Sequence, residues 1–214
     1  MARKSSADLD QVFGILETLY ESPKTELVYE GPFQLLIAVI LSAQCTDIRV
    51  NQTTPALFAK FPTPERMAKA KQSEIETLIH SCGFYRMKAI ALIETSRDLV
   101  EKYGGQVPGT MEELVGLTGV GRKTASVVLN QAFEIPAIAV DTHVKRVSRR
   151  LGWATKEDPV AIEFELRKLL PESHWSQVNG YLIFHGRRIC KARKPLCESC
   201  EIRTFCNDYL SRRD

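Results

Sequence analysis

The chain is predicted to be all-α. Apolar residues recur at helical spacing along almost its whole length, and alternating strand patterns are nearly absent. Helix start signals, such as capping residues and an early proline, fall where the periodic stretches begin. With 214 residues and 44% hydrophobic content, the chain can bury a sizeable core in one or two domains.

Leu9, Val12, Phe13, Leu16, Leu19 and Tyr20 make one apolar stripe, which predicts a first amphipathic helix. Pro32 opens a second helix. Its stretch Phe33 to Leu41 is apolar nearly all round, so it is predicted to be central and buried. Ser73 with Glu76 and Thr110 with Glu113 read as capping boxes. Further helices are predicted over 86–102, 122–133, 143–151, 159–170 and 174–189. Ile135 to Val140 is the one strand candidate, and Pro136 weakens it. The longest apolar run, Leu35 to Leu41, is seven residues, far too short to cross a bilayer. Met1 to Phe13 has no apolar core of signal-peptide length, which predicts a cytoplasmic protein.

Charge is unevenly placed. The formal net charge is +3, but residues 141–194 hold 12 Lys/Arg against 6 Asp/Glu, a local net of +6. Residues 8–30 hold six acids and one lysine. A basic half predicts a surface that faces a polyanion, against the plainer reading of a solvated face.

Four cysteines, Cys190, Cys197, Cys200 and Cys206, are spaced C-x6-C-x2-C-x5-C. In a reducing compartment such spacing points to metal rather than to disulfides. Zinc and iron–sulfur clusters both use four thiolates. Zinc ribbons usually pair two C-x2-C hooks; only Cys197–Cys200 is one, which leans toward a cluster. Cys45 and Cys82 are expected to be buried core thiols.

Residues 110–133 read as a short helix, a Gly-Val-Gly turn at Gly119, Val120 and Gly121, and a longer helix. Glycines there permit unusual backbone angles and leave no side chain in the way. N–H groups at the following helix start make a phosphate cradle, although a plain αα-hairpin also favours glycine. Gly116-x4-Gly121-Arg122-Lys123-Thr124 misses the NTPase P-loop by one inserted residue and lacks the preceding strand, which sets that reading aside.

Lys123 falls in the first turn of that helix, where the dipole prefers acids. It is either a phosphate contact or an amine kept partly neutral and so nucleophilic. Bringing a lysine from about 10.4 to about 7 costs roughly 4–5 kcal/mol. A helix terminus supplies roughly 0.3–1 kcal/mol, so desolvation or a neighbouring cation must supply the rest. Asp141 precedes a helix and reads first as its N-cap. Capping does not exclude chemistry, and a carboxylate there could stabilise a cationic sugar.

These residues carry a resemblance. Leu117-x-Gly-Val-Gly-Arg-Lys-Thr-Ala, then Val140-Asp141-Thr142-His143 with the aspartate 18 residues after the lysine, then the four cysteines, resembles the endonuclease III family. These are helix–hairpin–helix DNA glycosylase/abasic-site lyases of base excision repair. Leu41-Ser42-Ala43-Gln44-Cys45-Thr46-Asp47 is similar to the family's LSAQ-x-TD helix. Gly83-Phe84-Tyr85-Arg86-Met87-Lys88-Ala89 is similar to its G-x-Y-x-x-K-A loop. The resemblance runs over nearly the whole chain.

The resemblance implies two helical domains flanking a DNA cleft. One is a six-helix domain over 25–135, with its hairpin at 117–123. The other is an iron–sulfur domain built from 1–24 and 136–214. It implies a [4Fe–4S] cluster on the four cysteines, Lys123 as nucleophile and Asp141 as catalytic aspartate. Gln44 matches the residue that fills the gap left by the flipped base, and Phe84 the wedge, usually leucine. Lys191 and Lys194, on the loop between the first two cysteines, are expected to meet phosphates with the Gly119–Gly121 turn.

The partner implied is double-stranded DNA bearing damaged bases, oxidised pyrimidines among them, or abasic sites, bound by a monomer in a bacterial or archaeal nucleoid. Two alternatives stand beside this. An adenine-mismatch glycosylase would usually lack the lysine and carry a further C-terminal domain, whereas eight residues follow Cys206. A non-catalytic helix–hairpin–helix DNA-binding module would not need Lys123 with Asp141.

Overall fold

The computed structural model describes residues 6–21 and 25–212. The expected boundary between residues 24 and 25 has one side, residue 24, outside the described residues. Among the described residues there is no strand, so the fold is all-α. No described helix is long and apolar enough to cross a membrane. The chain divides into two compact units, 26–135 and the pairing of 1–25 with 136–214.

The first unit holds α2 (Gly31–Ser42), α3 (Asp47–Lys60), α4 (Pro64–Ala68), α5 (Gln72–Ile79), α6 (Tyr85–Tyr103), α7 (Met111–Val115) and α8 (Arg122–Ala132). Helix α2 is its centre. Leu35 through Leu41 are all buried, because the run is apolar on every side and neighbours cover every side. Helix α5 starts earlier than its sequence signal. Its N-cap is Lys71, not Ser73, because Glu74 reaches back to accept from the Lys71 backbone N–H at 3.2 Å. Thr110 does cap α7: its Oγ1 accepts from the Glu113 N–H at 3.3 Å. The Glu113 carboxylate returns to the Thr110 hydroxyl at 2.7 Å rather than to the backbone.

The second unit holds α1 (Ser6–Leu19), α9 (Thr142–Leu151), α10 (Pro159–Leu169), α11 (Trp175–Arg188) and α12 (Asn207–Leu210). The stripe of α1 is buried at Leu9, Val12, Phe13 and Leu16. Phe13 stacks on His174 and Trp153 and meets Tyr181 edge-on, which joins the N-terminal helix to α11. The expected strand at 135–140 is an extended segment without a strand partner. From Ala137 to Ala139 one side chain bonds its backbone at two points. Asn179 Oδ1 accepts from the Ala139 N–H at 2.9 Å, and Asn179 Nδ2 donates to the Ala137 carbonyl at 3.2 Å.

Candidate functional site

The hairpin between α7 and α8 is pinned from inside. Leu117 and Val120 are buried, and the Val120 N–H donates to the Leu117 carbonyl at 3.1 Å. Val120 therefore shapes the turn, and its side chain faces the core. Gly119 alone takes the left-handed backbone, at φ +80°. A Cβ there would lie 2.9 Å from Ala91 Cβ on α6. Gly121 has an ordinary φ of −90°, and a Cβ there would meet nothing within 4 Å. The two glycines thus serve different ends: Gly119 fits the turn to α6, and Gly121 leaves open space before the first turn of α8.

Helix α6 holds the turn by two further bonds that sequence reasoning missed. The Thr95 hydroxyl reaches the Thr118 carbonyl, and the Asp98 carboxylate accepts from the Thr118 N–H at 2.7 Å. Burial works to raise the Asp98 pKa. Hydrogen bonds from Lys102 and Thr118 outweigh it, so the carboxyl lies below its usual range. Lys123 is exposed on the first turn of α8. The chain's own packing therefore leaves this side chain open to solvent.

Gln44 and Phe84 are both exposed, and both have left-handed backbones, at φ 52° and 57°. That conformation is uncommon for non-glycine residues and concentrates at working sites. Phe84 is the N-cap of α6 and stands 65% exposed. The two turns touch, since a Cβ on Gly83 would lie 3.6 Å from the Gln44 carbonyl oxygen. Cys82 is buried as expected. Cys45 is not: it lies beyond the end of α2, in the turn after Gln44, and is only partly covered.

In the other unit Asp141 is the N-cap of α9. Its Oδ1 accepts from the His143 and Val144 N–H groups, each at 2.8 Å. The basic surplus on this unit is partly committed elsewhere. Arg146 donates to the carbonyls of Gly186 and Cys190. Arg150 donates to those of Lys191 and Ala192. Lys145 and Arg149 pair with Glu157, and Arg188 lies over Phe184 and Tyr20. Net charge therefore overstates the cations offered to a polyanion. Lys191 and Lys194 are exposed, with Lys194 at φ 52°.

Cys190, Cys197, Cys200 and Cys206 line one cavity, with apolar walls from Val147, Leu151, Ile189, Leu196 and Ile202. Four thiols lining one apolar-walled cavity are the donor set an iron–sulfur centre takes. Arg150 Nη1 donates to Cys190 Sγ at 3.3 Å, and His185 Nε2 lies 3.5 Å from Cys200 Sγ. Burial pushes the Cys200 thiol up to about 11 and raises that of Cys206. Binding of metal by thiolates would release such protons.

Comparison with known proteins agrees with this geometry. Residues 37–172 match the HhH-GPD superfamily of base excision DNA repair proteins. Residues 190–206 match the iron-sulfur binding domain of endonuclease III, and the chain carries a [4Fe–4S] cofactor. Endonuclease III of Synechocystis sp. is 50% identical over 92% of this chain and 90% of its own length. That of Thermotoga maritima is 48% identical over 85% of each. A solved trapped endonuclease III–DNA covalent intermediate superposes with a TM-score of 0.90, at 42% identity, covering 99% of this chain and 100% of that one. The chain belongs to the endonuclease III family of helix–hairpin–helix base excision repair proteins.

Proposed function

We propose that the chain is a bifunctional DNA glycosylase and abasic-site lyase that removes oxidised pyrimidines and nicks the strand 3′ to the abasic site. One observation carries the reading: near full-length likeness to a relative trapped covalently on DNA, in a chain with an exposed lysine on the first turn after a pinned hairpin. A lesion inside a duplex is out of reach, so the nucleotide is flipped out. Gln44 fills the gap and Phe84 wedges the stack. Gly119, Gly121, Lys191 and Lys194 hold the backbone.

The Lys123 amine attacks the sugar C1′, the C1′–N bond breaks, and the damaged base leaves. Asp141 stabilises the positive charge that develops on the sugar. The nitrogen then passes a proton to O4′ as the C1′–O4′ bond breaks and the sugar ring opens, leaving an imine that acidifies the C2′ proton. Loss of that proton expels the 3′ phosphate oxygen and cuts the strand. Cys190, Cys197, Cys200 and Cys206 hold the [4Fe–4S] cluster. When bound, it supplies a soft cationic crosslink that orders the 190–206 loop.

The protein acts as a monomer in the cytoplasm, on nucleoid DNA. The mismatch-adenine and non-catalytic readings are not favoured beside relatives named endonuclease III over 85–92% of this chain. Borohydride trapping tests the proposal. Wild type should become covalently fixed to abasic-site DNA, and Lys123→Ala should lose both trapping and strand cleavage while keeping DNA affinity. Trapping that survives in folded Lys123→Ala would move the nucleophile elsewhere.

A further inference from the structure

Two cysteines stand apart from the C-terminal four. Cys82 is fully buried in the turn after α5, and Cys45 is partly exposed in the turn after α2. Far apart in the chain, they flank the backbone contact between Gln44 and Gly83. The Cys82 thiol lies 3.7 Å from Thr53 Oγ1, and the Cys45 thiol, on the turn that touches Gly83, is near enough to act on it electrostatically. Lys88 completes the group. It is buried, its Nζ donates to the Leu41 carbonyl at 2.8 Å, and its charge acts on both thiols. Burial pushes the Cys82 thiol up, and the Lys88 charge offsets that only in part, so the partly exposed Cys45 is the thiol a solvent oxidant meets first.

We infer that Cys45 and Cys82 form a redox-modification site: a dithiol that peroxide converts to a disulfide joining the turn of Gln44 to the turn of Phe84. The partly exposed Cys45 reacts first. Its sulfur attacks a peroxide oxygen, an S–O bond forms, the O–O bond breaks, and water leaves with the thiol proton. The Cys82 sulfur then attacks Cys45 Sγ; the S–S bond forms and the S–O bond breaks. The departing hydroxide takes the Cys82 proton. Two thiols are oxidised and one peroxide is reduced to two waters, so no other redox partner is needed.

The consequence for DNA rests on the function proposed above. Gln44 and Phe84 lie on the two turns that the disulfide would fasten, each in a strained left-handed conformation. Such a link fixes their separation, whereas filling a gap and wedging a stack require each to adjust on its own. Oxidation therefore weakens lesion binding reversibly.

The test treats the cluster-loaded full chain with hydrogen peroxide while following cluster absorbance, then alkylates free thiols and maps peptides by mass. The expected result is a peptide pair linked through Cys45 and Cys82 with absorbance unchanged. Affinity for abasic-site DNA should fall about tenfold, ~1.4 kcal/mol, and return with a thiol reductant. Cys45→Ala, with Cys45→Ser as second variant, should bind as the reduced wild type does and ignore peroxide. Alkylation of both thiols after peroxide, with the cluster intact, would overturn the site. A link that leaves affinity unchanged, or equal peroxide sensitivity in Cys45→Ala, would overturn its control of binding. A reduced wild type that does not bind abasic-site DNA would refute the repair reading instead, with the link still scored by mass.

Discussion

Asp98 holds Thr118. The carboxylate on α6 accepts from the Thr118 backbone N–H at 2.7 Å and also pairs with Lys102. The hairpin is thus fastened by a side chain one helix away. Asp98→Ala should cost about 1–3 kcal/mol by orphaning that amide, and should weaken DNA binding without changing the chemistry of bound substrate. Amide exchange at Thr118 measures the first effect and single-turnover cleavage the second.

The same carboxyl gives a pH prediction. Its folded pKa lies below the unfolded value, because the bonds from Lys102 and Thr118 outweigh the opposing effect of burial. Its stabilisation is therefore complete above the unfolded value of about 3.9 and is lost as pH falls through the folded one. Protection of the Thr118 amide should decline below about pH 4 in wild type. Asp98→Asn should show no such step, and an identical decline in that variant would assign the acid sensitivity to another group.

Gly119 and Gly121 should respond differently to alanine. At Gly119 the new Cβ meets Ala91 Cβ at 2.9 Å on a left-handed backbone. A loss of about 1–3 kcal/mol is expected, read by urea denaturation. At Gly121 the methyl meets only open space and φ is ordinary. That variant should keep its stability and lose DNA affinity, because the methyl stands where a phosphate approaches. Unchanged affinity would exclude Gly121 from the interface.

Asp141 carries two duties that substitution can separate. Asparagine keeps an oxygen for the His143 and Val144 N–H groups, and alanine does not. Asp141→Ala should lose about 0.5–2 kcal/mol of stability. Asp141→Asn should keep most of it and still remove bases slowly, while retaining some trapping on DNA that is already abasic. Equal base removal by Asp141→Asn and wild type would reduce Asp141 to a cap.

Lys191 and Lys194 are predicted to act by counterion release. Loss of either charge should flatten the logarithmic salt dependence of DNA binding by about 0.9 per phosphate contact. Arg150→Ala should behave differently, because Arg150 braces Cys190 and two carbonyls of the loop. Iron retention should suffer there before the salt slope does. An unchanged slope in the lysine variants would turn this loop away from DNA.

What the sequence made legible was local. The α1 stripe, the Thr110 and Asp141 caps, and the Gly-Val-Gly turn each depend on residues within a few positions of one another. The motifs at Gln44 and Phe84 could be read, but their left-handed backbones could not, since neither residue type prefers that region. The clasp of Thr95 and Asp98 on Thr118 lay hidden because it joins residues about twenty apart across a helix surface. Charge counting overstated the available cations for a similar reason. Arg146 and Arg150 look like a polyanion-binding face until backbone carbonyls are found to occupy them. Ser73 lost its capping role to Lys71, where Glu74 closes the helix start two residues earlier.

Because α1 packs beside α11 in a unit drawn from both ends of the chain, synthesis and folding cannot keep the same order. Residues 26–135 can close while the ribosome is still translating the remainder. Leu9, Val12, Phe13 and Leu16 must wait, their greasy stripe unsheltered, until Trp153 and Tyr181 have emerged. The iron-binding loop emerges later still. The nascent protein therefore passes through a stage in which the α1 stripe has been made but its covering residues have not.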